Sequence, residues 1–184
     1  MVWLFGFVIL LIGLVFIIGS RLPKTHIAAS RIRLSVPPEE VWRVVTDFRS
    51  HPKWRPGLQG VEPGPVIDGL PSWYEVCSRN MKVHFRVVES DPPRRWVTRL
   101  ASERLPLVGS WVYELRPIDG GTELTITERD KIYSPFFRFF TKFVFAYYGV
   151  MDVFLIALAR ALGEKDAWPE HLSLHLELAG KETK

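Results

Sequence analysis

The chain has 184 residues, of which 47% are hydrophobic and 24% charged, with a formal net charge of +4. This composition excludes a disordered chain, and cations scattered along the sequence rather than clustered argue against a nucleic-acid surface. A single cysteine, Cys77, excludes an internal disulfide and a cysteine-rich metal site.

Val2 to Gly19 carries no charge and no proline. At about 1.5 Å per residue this run approaches the roughly 30 Å hydrocarbon core of a bilayer. Residues 1–20 therefore predict a transmembrane anchor, with Trp3 at the interface. The alternative is a cleaved signal peptide, which needs basic residues before the apolar run and a small-residue cleavage site. No Lys or Arg precedes the run, and Gly19-Ser20-Arg21 is a poor site. Arg21, Lys24, Arg31 and Arg33 follow it, so the positive-inside bias predicts a single-pass protein whose domain faces the cytoplasm. Residues 21–26 read as a juxtamembrane linker, short enough to hold the domain at the bilayer surface.

Residues 27–163 read as one domain. Ile32, Leu34 and Val36 alternate with Arg31, Arg33 and Ser35 as in a half-buried strand. Pro37-Pro38, then Glu39 and Glu40, open a helix whose Val41, Val44, Val45 and Phe48 fall at helical spacing. A proline-broken turn around Trp54 follows. Six strands are then expected, over 61–66, 73–78, 81–90, 95–101, 108–117 and 122–131. Turn residues separate them, and Asp119-Gly120-Gly121 is the strongest hairpin signal. One apolar face per strand implies an antiparallel sheet.

Ser134-Pro135 starts a helix expected to run to about Gly163. It is apolar over most of its circumference, which suits either a helix wrapped by a curved sheet or a second membrane span over Phe143–Ala159. Asp152 would cost such a span about 2.5–3.5 kcal/mol. In the tail, 164–184, Leu172, Leu174, Leu176 and Leu178 alternate with polar residues. That segment reads as a short strand or as one that orders against a partner.

The order of elements, with RIRLSVPPEEVWRVVTDFRSHPKWRPGLQGVE at its start, WVYELRPIDGGTELTITE at its penultimate hairpin and SPFFRFFTKFVFAYYGVMDVFLIALARAL at its close, resembles the START, Bet v 1 and polyketide cyclase/dehydrase (SRPBCC) superfamily. The resemblance spans about residues 27–163. It implies an α+β helix-grip fold, a curved antiparallel sheet of about seven strands around a long C-terminal helix, here preceded by the transmembrane helix. It also implies a cavity for lipids, sterols, polyketides or other apolar compounds, and in a few members cyclase or hydratase activity.

Strand parity places Trp111, Tyr113 and Leu115 on one face and Glu128 on the face of Leu124 and Ile126. The expected cavity wall comprises Trp54, Phe85, Trp111, Tyr113, Glu128, Phe140 and Tyr147, with Trp54 and Phe140 equally readable as core. Glu128 is the candidate catalytic acid or base; the alternative is a rim carboxylate. Glu75 is a weaker candidate, and Cys77 reads as a small core residue. Arg138, Phe139 and Lys142 are expected to face the membrane, with the Phe-rich helix start and the Trp54 loop at the cavity mouth. No spacing suggests a metal ligand set, and no cofactor is expected. The expected function is a membrane-tethered binding protein for a hydrophobic small molecule or lipid. The alternatives are a cyclase/dehydratase-like enzyme using Glu128, or a module that docks a membrane protein. The sequence names no protein partner.

Overall fold

A computed structural model describes residues 2–101, 107–144 and 148–172. The N-terminal helix α1 spans Val2–Arg21, and it is the one described helix long and apolar enough to cross a membrane. Strand β1 (Thr25–Leu34) begins inside the stretch that the sequence assigns to the linker, leaving only Leu22, Pro23 and Lys24 between it and α1. The Ile132 amide donates to the Lys24 carbonyl at 2.7 Å, so even this short segment is tied to the sheet.

Helix α2 (Pro38–Thr46) starts on Pro38, with Glu39 and Glu40 in its first turn. Both features suit a helix N-terminus, where amides lack partners and anions are favoured. It buries Val41 and Val45. A 3₁₀ segment, Phe48–Lys53, follows. The remaining strands are β2 (Gly60–Pro63), β3 (Ser72–Val76), β4 (Lys82–Asp91), β5 (Arg95–Leu100), β6 (Leu107–Ile118), β7 (Gly121–Ile132) and β8 (Glu170–Leu172).

These form one sheet in the order β2-β3-β4-β5-β6-β7-β1-β8, antiparallel at every junction. The sheet has eight strands rather than the seven expected, because Glu170–Leu172 adds to the edge of β1. Leu174, Leu176 and Leu178 lie outside the described residues. The fold is the α+β helix-grip arrangement.

The single closing helix expected from the sequence is two. Helix α3 covers Pro135–Phe143 and α4 covers Gly149–Ala161. Ser134 caps α3, its hydroxyl accepting from the Phe137 amide, with Pro135 at the first position. The break follows from two competing partners. Helix α4 buries Met151, Phe154, Leu155 and Leu158 in the sheet's concave face, whereas α3 packs on α1. The Phe16 and Phe136 rings lie 5.8 Å apart, and Gly19 passes so close to Pro135 that a Cβ there would meet its carbonyl oxygen. No straight helix reaches both.

Helix α4 is thus a core helix and not a second span. Asp152 on it is bound by the Ser30 hydroxyl at 3.3 Å and His171 Nε2 at 2.8 Å.

Candidate functional site

Between the concave face and α4 lies a cavity of about 210 Å³. Its walls are aromatic. Trp73 stacks between Phe48 (4.5 Å) and Trp96 (5.9 Å), with Phe85 beside it at 5.7 Å. Tyr113 packs against Trp96 at 5.1 Å. Phe154 of α4 supports this lining, packing against Trp54, Trp111 and Tyr113 at 5.4, 5.6 and 5.8 Å. Val150, 57% exposed, also lines the cavity and marks where it reaches the surface. Leu100 and Leu107, at the ends of β5 and β6, also line the cavity.

Two polar groups interrupt this lining. On one side, Arg55 pairs with Glu75, which is 5% exposed, and lies 3.2 Å from His51 Nδ1. The Trp73 indole also donates toward Glu75 at 3.4 Å. On the other side, the β6–β7 register sets Trp111 opposite Glu128 and Gly109 opposite Asp130. Trp111 Nε1 donates to Glu128 at 2.7 Å. A Cβ at Gly109 would meet the Asp130 carboxylate, which would have to turn aside, so the glycine leaves room for Asp130 in its present position. The β1–β7 register adds His26 opposite Asp130. Donor atoms of His26, Glu128 and Asp130 lie within 4.8 Å of one another, a mixed nitrogen and oxygen set. Among the described residues it is the one group able to hold a metal.

Environment sets the protonation of these groups. Burial, then the Asp130 charge, raises Glu128 well above the usual carboxylate range, against the Trp111 N–H. Burial likewise raises Asp130, so the pair favours holding a proton at neutral pH. Burial, then Arg55, lowers His51 to about 4. Burial raises the Tyr113 hydroxyl and lowers His26. Burial and the Glu75 charge raise Cys77, away from a reactive thiolate.

These shifts predict opposed pH dependences. His51 is neutral when folded, and its unfolded form takes up a proton below about 6.5, so its stability contribution is present above that value. It is lost as pH falls to about 4, a change of roughly 3 kcal/mol. Glu128 has a raised folded pKa, so its contribution is present below its ordinary value of 4.5 and is lost as pH rises from there through the folded pKa. In thermal melts, His51→Gln will flatten the profile between pH 4 and 6.5. Glu128→Gln will flatten the decline that sets in as pH rises above 4.5. Profiles parallel to the parent's would refute both assignments.

Of the residues expected on the cavity wall, Phe85, Trp111, Tyr113 and Glu128 line this cavity. Trp54 does not. It packs edge-on to His51 and Phe154 and borders a separate outer groove beside Arg160. Phe140 does not either, because α3 follows α1 instead of the sheet, leaving it 44% exposed. Tyr147 lies outside the described residues. Arg138, expected to face a membrane, is buried and donates Nη1 to the Leu22 carbonyl at 2.8 Å, capping the end of α1. Phe139 is half-buried and Lys142 exposed.

Among the described residues that line the cavity Val150 is the exposed one, and the Trp54 loop contributes Arg55 to the lining. His26, His51, Arg55 and Asp130 are absent from the sequence-derived set. Asp130 shares the strand parity of Glu128 and was open to that argument. His26 shares the inward parity of Ala28 on β1, and His51 and Arg55 are brought in by tertiary packing.

The family described as polyketide cyclase/dehydrase and lipid transport matches residues 25–163. No curated protein matches the chain. Among solved structures, the Zhui aromatase/cyclase of a Streptomyces species is similar with a TM-score of 0.61 at 16% identity, over 75% of this chain and 94% of that one. A conserved protein from Geobacillus kaustophilus gives 0.61 at 17%, over 79% and 100%. The di-domain ARO/CYC StfQ of the steffimycin biosynthetic pathway gives 0.59 at 10%, over 76% of this chain and about half, 51%, of that one. At these identities the likeness is one of fold.

Proposed function

We propose that this chain, which belongs to the polyketide cyclase/dehydrase and lipid transport family, is a membrane-tethered protein that holds a hydrophobic small molecule or lipid in its grip cavity. The observation that carries the reading is the cavity itself: an aromatic lining of Trp73, Phe85, Trp96 and Trp111 broken by two small polar groups. Such a site takes a mostly apolar ligand and orients it by one or two hydrogen bonds. The apolar α1 supports the tether, and Arg21, Lys24, Arg31 and Arg33 support a cytoplasmic domain on a single-pass anchor.

A second reading is cyclase- or dehydratase-like chemistry. It is favoured by Glu128, a carboxyl on the cavity wall beside Asp130 and under the Trp111 N–H. A carboxyl so placed can give a proton to a leaving hydroxyl or take one from a carbon acid. Turnover of a polyketide-like substrate that Glu128→Gln abolishes, with binding retained, would select this reading over simple binding.

The test begins with the full chain purified in mild detergent. Organic extraction and mass spectrometry should recover one apolar compound at near-stoichiometric amount. Val150→Trp should plug the opening and lower that occupancy at least tenfold. Because Val150 is 57% exposed, the melting temperature should barely move. An empty parent protein that binds nothing from a lipid panel overturns the binding reading.

A further inference from the structure

Helix α3 touches α1 with part of its surface and leaves the rest exposed. Pro135, Phe136 and Arg138 address α1. Phe136 meets Phe16, Pro135 meets Gly19, and the Arg138 guanidinium caps the Leu22 carbonyl. On the side of the helix that starts beside Phe136 and turns away from α1, Phe137, Phe140, Phe143 and Val144 are 46%, 44%, 56% and 59% exposed. Residues 137, 140 and 144 recur at helical spacing, with 143 alongside, so the four form one apolar stripe. Lone exposed apolar residues are ordinary, but a contiguous aromatic stripe on a helix marks an interaction surface.

What covers the stripe is set by where α3 is fixed. Its contacts on α1 run from Phe16 to Leu22, about 9 Å of helix axis. If α1 crosses a bilayer, as proposed above, those residues are its last turns, at the boundary between acyl chains and headgroups. An interfacial helix buries its apolar face roughly 5–10 Å into that boundary, which matches the depth over which α3 is held. The outer surface of α1 there is itself exposed and apolar, with Phe16 48% and Ile17 58% exposed, so the two surfaces are continuous. Arg21, Lys24 and Lys142 are exposed at the same level, where cations meet anionic headgroups.

The same placement concerns the cavity. Its opening lies at Val150, in the first turn of α4, just beyond α3. Leu107, which lines the cavity with Val150, pairs with Ile132 across β6 and β7, and the Ile132 amide donates to the Lys24 carbonyl next to the end of α1. The opening and the anchor therefore share one end of the sheet, while the β6–β7 turn at Asp119 and Gly120 lies at the other.

We infer that α3 is a second membrane element: an interfacial helix locked to the anchor that sinks Phe137, Phe140 and Phe143 into the bilayer and turns the cavity opening toward the lipid. This rests on the reading of α1 as an anchor. It goes further in fixing the orientation of the domain and the route of the ligand, directly between acyl chains and cavity.

The test uses the full chain with Cys77→Ser as background, reconstituted in phosphatidylcholine/phosphatidylglycerol vesicles. A bimane label is attached at Phe140→Cys, at Val144→Cys, at Leu11→Cys within α1, and at Asp119→Cys at the far turn. Lipids with doxyl groups on their acyl chains serve as quenchers. Labels at 140 and 144 should be quenched at least threefold more than the label at 119, with blue-shifted emission, and the label at 11 should be quenched too. Quenching at 11 with 140 and 144 as unquenched as 119 overturns the docking of α3 and leaves the anchor standing. No quenching at 11 overturns both. Two labelled positions on α3 guard against one substitution disturbing the helix.

Discussion

Replacing Phe154 by Ala will lower the unfolding free energy of the domain by about 3–5 kcal/mol, the largest loss expected from any single truncation. Phe154 is 4% exposed and is the side chain through which α4 grips the sheet. Its ring meets Trp54, His51, Trp111 and Tyr113 at 5.4–6.2 Å, in steep edge-to-face geometry, and the Arg55 guanidinium lies 5.3 Å over it. Removal strips contact from four rings at once, and a stack anchored on separate elements cannot collapse to refill the space. The void adjoins the cavity, so the variant should also accept bulkier ligands than the parent. Denaturant unfolding measures the first effect and competition between ligands of graded size the second. A loss under 1 kcal/mol would mean that α4 is not seated where described.

Glu75→Ala should cost nearly as much, about 3–5 kcal/mol, for a different reason. Glu75 is the counter-charge that lets Arg55 sit against the cavity wall, with their side chains 7% and 21% exposed. Without the carboxylate the guanidinium is left partly desolvated and unneutralised, beside His51 and Phe154. The attraction itself contributes less than this penalty, because both charges give up water to form the pair. Joint replacement, Arg55→Met with Glu75→Leu, should therefore recover most of the loss. A double variant as unstable as Glu75→Ala alone would show that packing rather than charge is at stake. Among the described residues lining the cavity Arg55 is the one fixed cation, so affinity for a ligand with a carbonyl or anionic group should fall in the double variant even as stability returns.

The sheet was legible because each strand has one apolar face, and period-two alternation survives almost any context. Trp111, Tyr113 and Glu128 could be set on one side of a hairpin from parity alone, and the pairing of Trp111 with Glu128 across β6 and β7 follows from it. The same parity reaches Asp130 and His26, but one carboxylate on a strand does not reveal that its neighbour is close enough to share a proton. Arg55 was out of reach, since it sits in a loop whose path depends on Pro52, Pro56 and the packing of Trp54 on Phe154.

The closing helix misled for a physical reason. A stretch apolar on all sides fits one long buried helix as well as two short ones with different partners, and nothing local in residues 134–162 records that the first partner is α1. Arg138 shows the same limit. A cation between phenylalanines reads as one that faces lipid headgroups, yet its long side chain turns inward to satisfy a carbonyl that the end of α1 leaves without a helical partner.

Three residues, Leu22, Pro23 and Lys24, join α1 to β1, and Lys24 is already hydrogen-bonded to the sheet. Under the proposed anchoring, such a joint leaves the domain no rope to swing on. A domain of roughly 137 residues has a radius of gyration near 15 Å, so its whole reach above the lipid is about its own diameter. It cannot carry cargo across an aqueous gap to a second bilayer. Whatever it loads must be handed on within the plane, to something that diffuses in, or docks onto, the same sheet of lipid.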